Sequence, residues 1–88
     1  MNTAEASTLL ETQLTVWRAR AYGELVAAVG TVTHLEIPAP SGARYQIDVE
    51  VVWDDVPRGP LRLIASIDDG GVRALFPLCR DALIYPPL

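Results

Sequence analysis

The chain of 88 residues has no lysine, a single cysteine and no long apolar run, and each absence argues against a class of protein. One cysteine, Cys79, excludes an internal disulfide. No apolar stretch approaches the ~18–20 residues that cross a bilayer. The N-terminal residues lack a cationic region followed by an apolar one, so we expect no secretory signal. These features predict a cytoplasmic protein that has no membrane partner.

The positive charges are seven arginines, which are spread along the chain and outnumbered by eleven carboxylates, for a net charge of −4. A protein that follows a nucleic-acid backbone needs clustered cations that release counterions from the phosphates. Scattered arginines between acids supply no such cluster, so neither nucleic acid nor an anionic membrane is an expected partner. With 50% hydrophobic and 20% charged residues, the chain is predicted to fold as one globular domain over residues 1–88.

The first third of the chain has the periodicity of a helix. Apolar residues recur at spacings of three and four over residues 4–29, on the stripe Leu10, Leu14, Trp17, Ala21, Leu25 and Ala28. Asn2 followed by Glu5 resembles a helix-capping box. Gly23 weakens a helix by about 1 kcal/mol relative to alanine, so we expect either one helix or two that break near Gly23. Gly30 is expected to end this segment in the left-handed conformation.

After residue 30 the period of the pattern changes from that of a helix to that of strands. Strand patterns cover residues 31–37, 45–54, 61–68 and 72–76, separated by short segments rich in proline and glycine. Connections this short favour an antiparallel meander over residues 31–78, with a short apolar tail over 81–88. The sequence therefore predicts an α+β domain, an N-terminal helix packed on one face of a four-stranded antiparallel meander sheet.

The register of the strands follows from turn chemistry and from the need to keep apolar residues on one face. Asp69-Gly70 matches a two-residue type I′ turn between the last two strands. The resulting pairing sets inward residues opposite inward residues, and a slip of one residue would reverse one strand. The turn sets Ile67 opposite Val72, and for the other two loops we assume closures that set Ile37 opposite Tyr45 and Trp53 opposite Leu63.

On the outer face of the sheet, away from the helix, these registers place His34, Asp48 and Asp68 in one cross-strand row. An imidazole and two carboxylates at ~5 Å spacing are groups that can bind a divalent metal weakly or share a proton. The competing interpretation, which we favour, is a solvated polar row in which His34 offsets two neighbouring acids.

The same registers align Val52, Ile64 and Leu75 as an apolar row on this outer face. Three large aliphatic side chains on an otherwise polar face predict that something covers them. The tail over residues 81–88, which contains Tyr85, is one candidate cover. A second subunit or another protein is the other, and the sequence leaves both open.

No motif in the sequence is specific for catalysis or for a cofactor. Nothing places Cys79 beside His34 as a nucleophile and base. Gly70-Gly71 lacks the strand–loop–helix context of a phosphate-binding loop, so no cofactor is expected. We therefore expect a non-catalytic domain that binds an unidentified protein partner or forms a homodimer. The alternative is a weak metal- or ligand-binding domain that uses the outer-face histidine and aspartates.

Three segments of the sequence are similar to a known group of proteins: WDD at 53–55, SIDDGGVRA at 66–74 and PL at 77–78. Over about residues 45–85 the chain resembles a family of small bacterial α/β proteins of unknown function, and SIDDGG is the most specific part. The resemblance implies a bacterial origin and a compact domain, and it implies no particular activity.

Overall fold

The computed structural model of the chain describes residues 2–70 and 77–87. Its elements are α1 (Thr3–Arg18), α2 (Tyr22–Ala27), β1 (Val32–Pro38), β2 (Arg44–Trp53), β3 (Leu61–Asp68) and β4 (Leu78–Ile84). The strands form one sheet in the order β1-β2-β3-β4, and each neighbouring pair is antiparallel. The predicted α+β fold, with N-terminal helical structure and an open four-stranded antiparallel sheet, is confirmed.

The helical segment is divided in two, and the division lies slightly before the predicted position. The side chain of Asn2 caps α1 by accepting the backbone N–H of Glu5 at 3.1 Å. Helix α1 ends at Arg18, and Gly23 lies inside α2 rather than at the break. Because a first-turn position is only weakly held by helix hydrogen bonds, glycine is tolerated there. Gly30 has a φ of +85°, which confirms the left-handed conformation expected there.

The helices cover the inner face of the sheet, with α1 packed mainly on β3 and β4. The predicted helical stripe is buried at Leu10, Leu14, Trp17 and Leu25, whereas Ala21 is exposed because it falls in the break. The inner face of the sheet contributes the rest of the core, in which the residues that are at most 1% exposed are Tyr45, Ile47, Val49, Val51, Leu61, Leu63, Ala65 and Ile67. Alternation along β2 and β3 thus predicted correctly which side chains point inward.

The first two hairpins differ in how well their registers were predicted. Ile37 lies opposite Tyr45, as expected. Trp53 lies opposite Leu61 and not Leu63, so the expected pair is wrong by two residues. The loop closes earlier because the backbone N–H of Asp54 donates to the carbonyl of Pro60 at 3.0 Å, which extends the ladder beyond Trp53.

The expected pairing of the last two strands is wrong, since Ile67 lies opposite Leu78 and not Val72. Strand β4 is built from residues that were assigned to the apolar tail over 81–88, together with the residues just before them. Leu78–Ile84 pairs with β3 over the whole stretch from Leu61 to Ile67. The predicted strand over residues 72–76 lies outside the described residues.

The bend after β3 explains why the tight turn does not form there. A type I′ turn requires positive φ at both of its central residues. Gly70 has a φ of +81°, but Arg58 is the one non-glycine residue with positive φ among residues 2–70 and 77–87, so Asp69 does not meet the requirement. The carboxylate of Asp68 instead accepts the backbone N–H of Gly70 at 2.8 Å, which is the hydrogen bond of an Asx-type bend.

Candidate functional site

The polar row predicted on the outer face is only partly assembled. His34 lies opposite Asp48, and its Nδ1 is 2.6 Å from an Asp48 carboxylate oxygen. Asp68 lies opposite Gln46, one row away, and Ser66 occupies the position expected for Asp68. The structure thus brings His34 and Asp48 together and leaves Asp68 in a different row. Both partners of the contact are well exposed to solvent.

This row offers little for metal binding or nucleophilic catalysis. Within residues 2–70 and 77–87, no group of three or more histidine, cysteine, aspartate or glutamate side chains is placed to hold a metal ion. Cys79 stands at the opposite end of the row from His34, opposite Ser66. Three strand spacings separate the two, roughly 14 Å, which is too far for a histidine to activate a thiol.

The predicted apolar row is also rearranged by the register. Val52 lies opposite Arg62, which lies opposite Leu83, while Ile64 falls in the next row, opposite Asp81. Leu75 lies outside the described residues. Leu83 takes the place on β4 that was expected for Leu75, with Arg62 between it and the half-buried Val52 and with the half-buried Ile64 diagonal to it.

Exposed apolar side chains lie at the β4 end of this face. Tyr85 directly follows β4 and is 67% exposed, and Leu83 is 36% exposed. The tail was one of the two candidate covers of the outer face, and Tyr85 within it does not lie buried against that face. We call Val52, Ile64, Leu83 and Tyr85 the outer apolar patch.

Arg62 lies within the outer apolar patch, between Val52 and Leu83. Its guanidinium bonds Asp54 through Nε at 2.9 Å and through Nη2 at 2.7 Å, and it also pairs with Asp81. The hydrogen bonds to Asp54, and to a smaller extent the bond to Asp81, raise the pKa of Arg62 above its ordinary value. Because the three charges are on β3, on β4 and directly after β2, they link these strands together within the patch. A shallow depression beside them is lined by Arg62, Ile64, Cys79, Arg80 and Asp81.

A second polar cluster, which the sequence did not reveal, joins α1 to the first hairpin. A Glu5 carboxylate oxygen accepts the hydroxyl hydrogens of Ser41 at 2.7 Å and of Tyr45 at 3.0 Å. The Ser41 hydroxyl is the largest cause of a lowered pKa at Glu5, while burial, followed by the bond to Glu5, raises the pKa of Tyr45. Both hydroxyl groups are bonded to the Glu5 carboxylate, so the cluster anchors the helix rather than offering a site for a ligand.

Comparisons with protein-family models, with curated proteins and with solved structures found no match. The resemblance of residues 45–85 to a family of small bacterial proteins therefore stays a prediction. Neither helix in the described part of the chain has the length and apolar character needed to span a membrane. A functional assignment must rest on the surface that this fold presents.

Proposed function

We propose that this chain is a non-catalytic protein-interaction domain that presents the outer face of its sheet to a partner protein. The observation that carries the proposal is the exposure of Leu83 and Tyr85 at the end of that face. Tyrosine and aliphatic side chains supply the contact area at the centre of protein interfaces, and Tyr85 also offers a hydroxyl.

The surroundings of the outer apolar patch are consistent with an interface. Ile64 lies diagonal to Leu83 on the neighbouring strand, Val52 lies two strands from Leu83 with Arg62 between them, and both Val52 and Ile64 are only half-buried. The Arg62 charge inside the patch is already neutralised by its ion pairs, so a partner can cover the surrounding apolar side chains without stripping water from an isolated charge. Arginine and apolar side chains together are common in protein interfaces.

We also infer that the partner is encountered in the cytoplasm of a bacterium. An exposed free thiol at Cys79 suits a reducing compartment, and the sequence resemblance points to a bacterial source. The net charge of −4 favours a protein partner over nucleic acid. Fractionation of cells that produce the tagged chain tests the location, and recovery outside the cytoplasmic fraction would contradict it.

The alternative function, a weak metal- or ligand-binding site at His34, Asp48 and Asp68, has less support. Its two nearest groups are in contact, but the third lies opposite Gln46 in another row. Two side-chain donors are fewer than the three or four that protein metal sites usually provide.

The test of the proposed interface is cross-linking in the native host with three versions of the tagged chain. The wild type is compared with a Leu83→Ser, Tyr85→Ser double variant and with Val16→Ser, a control on α1 where the side chain is 50% exposed. We expect a partner that is captured by the wild type and the control and is lost from the double variant. The same captured proteins with all three chains would contradict the proposal, provided that circular dichroism shows all three folded.

A further inference from the structure

Strand β1 is an edge of the sheet, with β2 on one side and no strand on the other among residues 2–70 and 77–87. None of its seven residues is fully buried, although its inner side chains are apolar or β-branched. Leu35 and Ile37 are only partly covered by the core, and Val32 on the outer face is 40% exposed. An edge of this kind exposes a row of backbone groups that another strand can pair with.

The hairpin that joins β1 to β2 shows which backbone groups face outward. The N–H of Ala39 donates to the carbonyl of Ala43 at 2.8 Å. Since bonded positions alternate in an antiparallel ladder, the odd-numbered residues of β1 bond to β2 and the even-numbered ones face the free edge. Pro38, which has no N–H, falls on the outward side, where a proline is tolerated. The N–H groups of His34 and Glu36 therefore point away from the sheet.

We propose that β1 pairs antiparallel with β1 of a second copy of this chain, with Leu35 opposite Leu35 at the two-fold axis. The pairing joins two four-stranded sheets into one of eight strands. It uses a different surface from the outer apolar patch and does not depend on the function proposed above.

Charge complementarity selects this register. With Leu35 at the axis, His34 of each copy lies opposite Glu36 of the other, twice in the dimer. Moving the axis by one residue sets either His34 opposite His34 or Glu36 opposite Glu36. Each residue of this pair already contacts a side chain on its own β2, since His34 contacts Asp48 and Glu36 pairs with Arg44. When His34 is protonated, charges of alternating sign run across the junction, an arrangement that favours this pairing over the one that sets Glu36 opposite Glu36.

The apolar side chains agree with the same register. On the inner face, Leu35 meets Leu35 and Thr33 meets Ile37, which extends the half-covered inner row of β1. On the outer face, the exposed Val32 meets Pro38. Residues at non-bonded positions of an antiparallel pair approach within about 4.5 Å between Cα atoms, close enough to pack directly.

Among the described strands, β4 is the other edge of the sheet, and it lacks this self-complementarity. In β4 the two central charges point to opposite faces: Asp81 reaches Arg62 on the outer face, and Arg80 reaches Glu11 of α1 at 3.4 Å. Antiparallel pairing of a strand with its own copy sets residues of the same face opposite each other, so Arg80 would never meet Asp81.

Cysteine cross-linking tests the register in the full chain. In a Cys79→Ser background, Leu35→Cys should form a disulfide-linked dimer on mild oxidation, since the Cα spacing suits a disulfide. A mixture of the Thr33→Cys and Ile37→Cys chains should form a disulfide-linked dimer, because residue 33 of one copy faces residue 37 of the other. Each of these variants alone should cross-link at least about tenfold more slowly. Faster cross-linking of Thr33→Cys alone than of Leu35→Cys would overturn the proposed register.

Sedimentation of the cysteine-free background tests the association itself. We expect a concentration-dependent species of twice the 9.6 kDa chain mass. Glu36→Lys, which replaces the carboxylate opposite His34 with a cation, should weaken association at least about tenfold. Glu24→Lys, the same charge change on α2, should leave it unaltered. A strict monomer at millimolar concentration would overturn the proposal. So would a dimer that survives Glu36→Lys but is lost in the Leu83→Ser, Tyr85→Ser variant, which would instead place self-association on the outer apolar patch.

Discussion

Strands β3 and β1 both alternate in sequence, yet they differ in how much of their inner face is covered. Every second residue of β3 is fully buried, whereas β1 has no fully buried residue. Strand β3 has a neighbour on each side and α1 above it, while β1 has one neighbour within residues 2–70 and 77–87 and lies outside the main area that α1 covers. Alternation therefore sets the direction of a side chain, but the neighbouring elements decide its burial. The side chains of β1 are left partly available.

A matched pair of leucines measures this difference most strongly. Leu63→Ala removes a fully buried side chain from β3 and should lower the free energy of unfolding by about 3 kcal/mol. Leu35→Ala on half-covered β1 should lower it by only about 1 kcal/mol. Urea unfolding at low micromolar protein, where the proposed dimer dissociates, gives both values. Equal losses would show that β1 is as well covered as β3.

The N-terminus of α1 is the part of the helix that is hydrogen-bonded to the first hairpin of the sheet. Asn2→Ala removes the cap on the backbone N–H of Glu5 and should cost about 1 kcal/mol of folding free energy. Thermal or urea unfolding measures it, and Asn2→Ser, which can still cap, is the control. A loss in the serine variant as large as in the alanine variant would argue against the capping role.

The bonds that Glu5 makes to the first hairpin predict that the stability of the fold declines at acid pH. The pKa of Glu5 is lowered in the folded chain, so the folded state holds fewer protons there than the unfolded state. This contribution is complete above the usual pKa of 4.5 and is lost as the pH falls through the lowered value. Glu5→Gln should flatten the decline of unfolding midpoint in that window, relative to Glu24→Gln. Identical acid profiles for the two variants would contradict the assignment.

Tyr45 predicts the smallest effect, on the alkaline side. Its pKa is raised in the folded chain, so the folded state keeps the proton that the unfolded state loses. The contribution is complete below the usual pKa of 10.0 and is lost as the pH rises through the raised value. Tyr45→Phe should reduce the alkaline decline in the unfolding midpoint, with Tyr85→Phe as the control because Tyr85 is largely exposed. If the unfolding midpoint of Tyr45→Phe declined at alkaline pH as steeply as that of the wild type, the contribution assigned to Tyr45 would be contradicted.

The sequence predicted the faces of the strands better than their registers, for a geometric reason. The pair Trp53–Leu63 was wrong by two residues, and the pair Ile67–Val72 by six. Both shifts are even, and an even shift keeps every side chain on its own face. The buried residues of β2 and β3 were therefore correct, while the outer-face rows were not.

The features that the sequence missed depend on contacts over long stretches of chain. Residues 72–76 alternate more cleanly than Leu78–Ile84, in which Arg80 falls on an inward position opposite Ala65, so the pattern alone favoured the segment that does not pair with Ile67. The longer ladder that β4 makes with β3 is a tertiary property. Glu5 was recognised as a capping residue, but its bonds to Ser41 and Tyr45 span 36 and 40 residues and leave no local signal.

Hydrogen exchange along β1 tests most directly whether this strand is an open edge that a second copy fills. Amides of Leu35 and Ile37, which bond to β2, should be protected at every protein concentration. Amides of His34 and Glu36 should exchange rapidly in dilute solution and gain protection as the concentration rises. Rapid exchange of His34 and Glu36 at all concentrations, with Leu35 protected, would contradict the pairing of β1 with itself.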